Sequence, residues 1–157
     1  SLEFATSVLM LLMFCGAFGR ILGGMLGDYI GALPGYIIMS LGQTIFVVWF
    51  PHLISPATIY IMAALFGFTY SGVMSSILVC TRMMVSAKYG ARAMSLTSFF
   101  GWIGMGVGGF LGGYFFDVYG DYNWAFTFAG IMGVINLVIL SQFWLRIRNV
   151  NKELLNT

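Results

Sequence analysis

Residues 57–81 read ATIYIMAALFGFTYSGVMSSILVCT, 25 positions without a single Asp, Glu, Lys or Arg. A helix needs about 20 consecutive apolar residues to cross the roughly 30 Å hydrocarbon core of a bilayer. This stretch is long enough, and it is not isolated. Residues 29–81, 93–116 and 122–145 are all free of charge. The chain of 157 residues is 60% hydrophobic and 8% charged. A soluble domain carries roughly 25% charged residues, so this chain cannot dress a surface for water. Lipid is the remaining solvent, and there every backbone amide must be satisfied internally, by helices or by a closed barrel. Barrel strands alternate apolar and polar over about ten residues. The long unbroken runs predict helices, and the fold class expected is an all-α polytopic transmembrane bundle.

Punctuation divides it into five spans. Gly31, Pro34 and Gly35 mark one break. Pro51 and Pro56 bracket another, Lys88, Gly90 and Arg92 a third, and Asp117, Gly120 and Asp121 a fourth. All three prolines fall at breaks, where a missing N–H costs least. The spans expected are 4–27, 33–50, 57–83, 92–116 and 122–145, followed by a tail over 146–157. The second is short, so it stands upright or borrows loop residues. With five spans the ends lie on opposite sides. One side collects Arg82, Lys88, Arg92, Arg146, Arg148 and Lys152; the other has Glu3, Asp117 and Asp121 and no basic residue. The positive-inside rule makes the first side, with the C-terminus, cytoplasmic. The expected location is a cell membrane, taken as a bacterial inner membrane.

Several function classes are disfavoured by residue content. Net charge is +2, with no basic tract of the kind that binds nucleic acid. Cys15 and Cys80 lie in separate apolar runs and read as small packing residues rather than a disulfide or metal pair. The single His52 stands in a Pro-rich turn, and no cluster of His, Cys or Glu supports metal hydrolysis. A Gly-x-Ser-x-Gly serine is absent, and no span holds a Lys for a retinal. The expectation is a protein that is no enzyme and holds no cofactor or metal.

Arg20 is the one basic residue inside a span. It lies about 12 Å along the helix from Asp28 and about 25 Å from Glu3, well within the hydrocarbon core. An arginine at such depth costs about 2.5–3.5 kcal/mol on insertion scales and usually faces a cavity with a partner. Two roles fit it: a cavity-facing site for an anion, or a side chain snorkelling to the cytoplasmic headgroups.

The stretch Gly19-Arg20-Ile21-Leu22-Gly23-Gly24-Met25-Leu26-Gly27-Asp28-Tyr29-Ile30-Gly31 resembles the short cytoplasmic turn of the major facilitator superfamily. There a Gly stands four residues before an Asp, and a second Gly three after it. Gly24, Asp28 and Gly31 hold those places. The basic residues that the family sets after the Asp and after the second Gly are replaced by Tyr29, Ala32 and Leu33. Residues 95–117 resemble the family's eleventh helix, with Gly104, Gly108 and Gly112 repeating at four beside Gly109 and Gly113. Two such tracks permit close helix contact. The acidic exit at Asp117 to Trp124 is similar to the family's turn into its last helix.

The resemblance implies the last five helices, eight to twelve, of an alternating-access carrier, with the N-terminal half of the transporter outside this chain. It implies a conformational gate at Gly24, Asp28 and Gly31; a helix-end cap is the plainer role for Asp28. It implies that the third span lines the central cavity, so that Tyr70 and Ser71 stand near substrate, although Ser and Thr also bond their own helix backbone. Gln43 and Asn136 fall on helices that are peripheral in the family, where interhelical hydrogen bonds are expected. Arg20, four residues before Gly24, is similarly placed to the anion-associated arginine of monocarboxylate-type and oxalate:formate-type carriers. Where those carriers place an Asp one turn earlier, this chain has Gly16. The partners implied are the bilayer, a small organic anion and a coupling proton or ion. A channel-like bundle or a membrane sensor built on the same helices is the alternative.

Overall fold

Five long helices carry the chain in the computed structural model: α1 Leu2–Ile30, α2 Ala32–Trp49, α3 Pro56–Met84, α4 Gly90–Tyr119 and α5 Asn123–Leu155. The structure describes the backbone of residues 2–155 and the side chains of residues 2–149. Lys152, one of the basic residues of the tail, therefore has its side chain outside the described residues. All five helices are long and apolar enough to span a bilayer. The basic tail continues α5 as helix rather than as irregular chain, and Arg148 lies over the Trp144 ring at 5.5 Å.

The connections are shorter than the break residues suggest. Between α1 and α2 only Gly31 is non-helical, with φ +97. An L side chain is strained in that region, which is why a glycine reverses the chain here. Pro34 and Gly35 belong to the first turn of α2, and the Gly35 N–H donates to the Gly31 carbonyl at 3.0 Å. Proline is harmless there because the first amides of a helix have no intrahelical acceptor. At its other end α2 runs on through a 3-10 turn, Phe50–His52, to give an apolar span of 21 residues. Helix α3 begins with Pro56 after an extended Ser55. Helix α4 runs past Asp117 and stops where Gly120 adopts φ +74 and donates to the Phe116 carbonyl at 2.8 Å, the left-handed glycine stop. Asp121 Oδ1 then accepts the Asn123 N–H at 2.9 Å, and Tyr119 packs on Trp124 across the turn.

The tightest seam joins α1 to α3. A β-carbon on Gly19 would strike the Phe68 carbonyl, one on Gly67 would strike the Leu12 carbonyl, and one on Gly23 would lie 2.9 Å from the Gly72 Cα. Backbone lies on backbone, the geometry that small residues permit in membranes. Helix α2 packs against α3 and α5, and this is where the core sits: Leu33, Tyr36, Met39, Val73, Cys80 and Leu140 are buried together. Helix α4 is different. It touches α3 and α5, yet no residue in its most apolar window is buried. Phe110 is 73% exposed and Trp102 74%. In water such a surface would aggregate. Against acyl chains it carries no penalty, because lipid is as apolar as the side chains.

Candidate functional site

Arg20 follows Gly19 in α1, so the glycine track that presses α1 onto α3 sets the arginine beside that seam. Its side chain is exposed and lines a cavity of about 880 Å³ that opens between α4 and the α2, α3 and α5 cluster. No hydrogen bond or ion pair engages the guanidinium among the described residues. Tyr70, on α3, lines the same cavity, and its hydroxyl lies within the field of the Arg20 charge. Phe66 stacks on the Tyr70 ring at 5.8 Å and 19°, which orients the phenol. Ser71 turns the other way. Its hydroxyl lies against Gly16 in the α1–α3 seam, and it is not among the cavity-lining residues. A helix turns 100° per residue, so neighbours Tyr70 and Ser71 cannot both face one cavity squarely. Ser75 reaches the cavity from α3 instead.

Further polar groups come from α2 and α5. Asn136 Nδ2 donates to Ser40 Oγ at 2.8 Å, an interhelical bond within a part-buried contact. Asn136 also interacts with the Tyr36 hydroxyl, and all three residues border the cavity. Gln43 lines it too, and its amide has no hydrogen-bond partner among the described residues. Sequence reasoning set Gln43 aside because its helix is peripheral; a polar amide in an otherwise apolar helix was the available signal. On the far side, Thr97 Oγ1 meets Thr81 Oγ1 at 3.3 Å and ties α4 to α3.

The turn residues separate into different tasks. Gly31 makes the reversal. Gly24 faces open space, with nothing within 4 Å of where its β-carbon would be. It is Gly23, facing Gly72, and Gly27, facing Gly35, that make the close contacts. Asp28 is exposed in the last turn of α1. The negative end of a helix dipole repels a carboxylate, so Asp28 does not cap its own helix. It has no bonding partner among the described residues.

The glycines of α4 also differ from the expectation of close packing. Gly104, Gly108 and Gly112 line the cavity, Gly109 and Gly113 point elsewhere, and none has an atom within 4 Å of its β-carbon position. Within this chain the close glycine contacts lie among α1, α2, α3 and α5 instead, because the glycines of α4 stand off from the neighbouring helices.

Five apolar spans, a glycine-made reversal after Asp28 and an unpaired arginine on a membrane cavity now stand together. The family model of the Major Facilitator Superfamily matches residues 1–156. The chain belongs to that superfamily. Its members are membrane transporters rather than enzymes, and this facilitator chain is accordingly an integral, multi-pass membrane protein of a transporter family. Neither curated proteins nor solved structures give a significant match.

Proposed function

We propose that this facilitator chain is part of a secondary active transporter that moves a small organic anion by alternating access, with Arg20 as the group that holds the carboxylate. The observation that carries this reading is the unpaired guanidinium on the cavity wall. A charge inside a membrane needs a counter-charge, and none of the acids among the described residues supplies it. Asp28, the acid of the same helix that lies toward the cytoplasmic end, is about 12 Å away along the axis. An arginine fork matches a carboxylate with two parallel hydrogen bonds. Tyr70 adds a hydroxyl to the same cavity wall, and Ser75 and Gln43 add neutral polar groups. No mid-span acid is present in this chain to carry a coupling proton.

The charge pattern supports a cytoplasmic C-terminus. Asp28 then stands at the cytoplasmic end of α1, exposed and unpartnered. That suits a gate contact with a cation or a helix N-terminus of the opposite half, made in one state of the cycle and broken in the other.

Uptake of a panel of small carboxylates by the parent transporter in proteoliposomes tests the reading. At least one is expected to be taken up saturably, and Arg20→Ala is expected to abolish its uptake while insertion and fold persist. Undiminished uptake by Arg20→Ala would remove the anion site. Ohmic, non-saturating current would replace the carrier with a channel.

A further inference from the structure

Every residue of α2 that carries a side-chain hydroxyl or amide borders the cavity. Tyr36, Ser40, Gln43 and Thr44 stand at helical spacing along one side of the helix, and all four line it. Helix α5 adds Asn136 to the same wall. Part of this polar strip is already committed. Thr44 Oγ1 donates to the Ser40 carbonyl at 2.8 Å, and Ser40 Oγ accepts from Asn136 Nδ2. The rest is open. The Gln43 amide has no partner among the described residues, and Asn136 keeps its Oδ1 as an acceptor once Nδ2 is used. Lipid offers such groups nothing. A helix packed only on helices has no need of an open amide, whereas a wall that meets a polar ligand does.

Gln43 is also level with Arg20. A β-carbon on Gly42 would lie 2.8 Å from Thr69 Cγ2, and one on Gly19 would strike Phe68. Gln43 and Arg20 each follow one of those glycines, so both stand at the turn of α3 that carries Tyr70. Counting from the shared reversal agrees: Arg20 lies eleven residues before Gly31 and Gln43 twelve after it. Yet no hydrogen bond joins Arg20 to the α2 and α5 groups among the described residues. Helix α3, which packs on both α1 and α2, presents Val73, Met74 and Ile77 to the same cavity.

We infer that the cavity reads its ligand at two ends. Arg20 takes the carboxylate, and Gln43 with Asn136 takes an uncharged hydrogen-bonding group at the far end: a hydroxyl, a carbonyl or a carboxamide. Val73, Met74 and Ile77 accept an apolar body between them. The substrate class is a monocarboxylate with a distal neutral oxygen function, in preference to a plain alkyl acid or a dicarboxylate. An alkyl end would cover the Gln43 amide and return no hydrogen bond. A second carboxylate would find no second cation, since Arg20 is the one basic residue inside a span, and an unpaired charge keeps most of its desolvation cost. The inference rests on the anion site proposed at Arg20.

The test is protein-dependent uptake by the parent transporter in proteoliposomes. The probes are 4-hydroxybutanoate, butanoate and succinate, and the longer set 6-hydroxyhexanoate, hexanoate and adipate. Within a set the acids differ only at the far end. In at least one set the hydroxy acid is expected to exceed the alkyl acid in kcat/KM about three- to tenfold, the worth of one hydrogen bond, with the dicarboxylate carried least. Gln43→Leu is expected to bring the hydroxy-to-alkyl ratio to about one. Gln43→Lys sets a second cation at the far end and is expected to raise the dicarboxylate above the hydroxy acid, a gain that misfolding cannot imitate. Arg20-dependent uptake without the preference, or with a preference that Gln43→Leu leaves in place, overturns this inference alone. No uptake of any acid, or uptake that survives Arg20→Ala, overturns the anion site and this inference together.

Discussion

Gly19 of α1 and Phe68 of α3 are in backbone contact: a β-carbon at Gly19 would lie 2.8 Å from the Phe68 Cα and closer still to its carbonyl. A flexible side chain could move aside, but a helix backbone cannot do so without shifting the whole seam. Gly19→Val is therefore expected to destabilise the bundle by at least about 1–3 kcal/mol, the usual range for overpacking. Gly104→Ala, on α4 with nothing within 4 Å of its β-carbon position, is expected to be neutral or stabilising by up to about 1 kcal/mol in this chain, since alanine is the better helix former. Unfolding of the two variants in mixed micelles makes the comparison. Equal destabilisation would mean that the α1–α3 seam is not the tight one.

The reversal after Asp28 depends on one left-handed residue. Gly31→Ala keeps the small volume but puts a Cβ at φ +97. The expected cost is about 1–3 kcal/mol. Gly35→Ala, inside α2, fails for a different reason, since its β-carbon would meet the Gly27 backbone at 3.1–3.2 Å. Asparagine tolerates the αL basin but not the glycine-only backbone at φ 97, ψ 149, so it should rescue neither Gly31 nor Gly35.

Asn136 and Ser40 join α5 to α2 by a hydrogen bond of 2.8 Å. Interhelical bonds in membranes average about 0.6 kcal/mol and reach about 1.7 in double-mutant cycles. A cycle of Asn136→Ala and Ser40→Ala is expected to give a coupling energy in that range. A coupling indistinguishable from zero would make the contact incidental.

On the proposed function, Arg20→Lys separates charge from shape. Lysine keeps the positive charge and loses the planar fork. Uptake is expected to survive with KM raised about tenfold, equivalent to about 1.4 kcal/mol, whereas Arg20→Ala abolishes it. Asp28→Asn is expected to leave substrate affinity unchanged and slow turnover, measured as a lower maximal rate at unaltered KM. A raised KM with unchanged maximal rate would place Asp28 at the substrate rather than at the gate.

Much of this protein was legible in its residues. Apolar runs without charge required membrane helices, because lipid forgives no unsatisfied backbone. Proline and glycine marked where those helices change, although Gly31 alone makes the first reversal and Pro34 belongs to the helix after it. Arg20 stood out because a charge at mid-span is costly. The glycine tracks of α1 and α4 both read as packing faces, and only the tertiary structure distinguished the α1 track, which lies on α3, from the α4 track, which has nothing within 4 Å. The same holds within α3, where Tyr70 reaches the cavity and Ser71 faces Gly16. Composition and pattern act through the solvent and the backbone, which every helix meets alone. Which face of a helix meets a neighbour is decided only when the neighbours are in place.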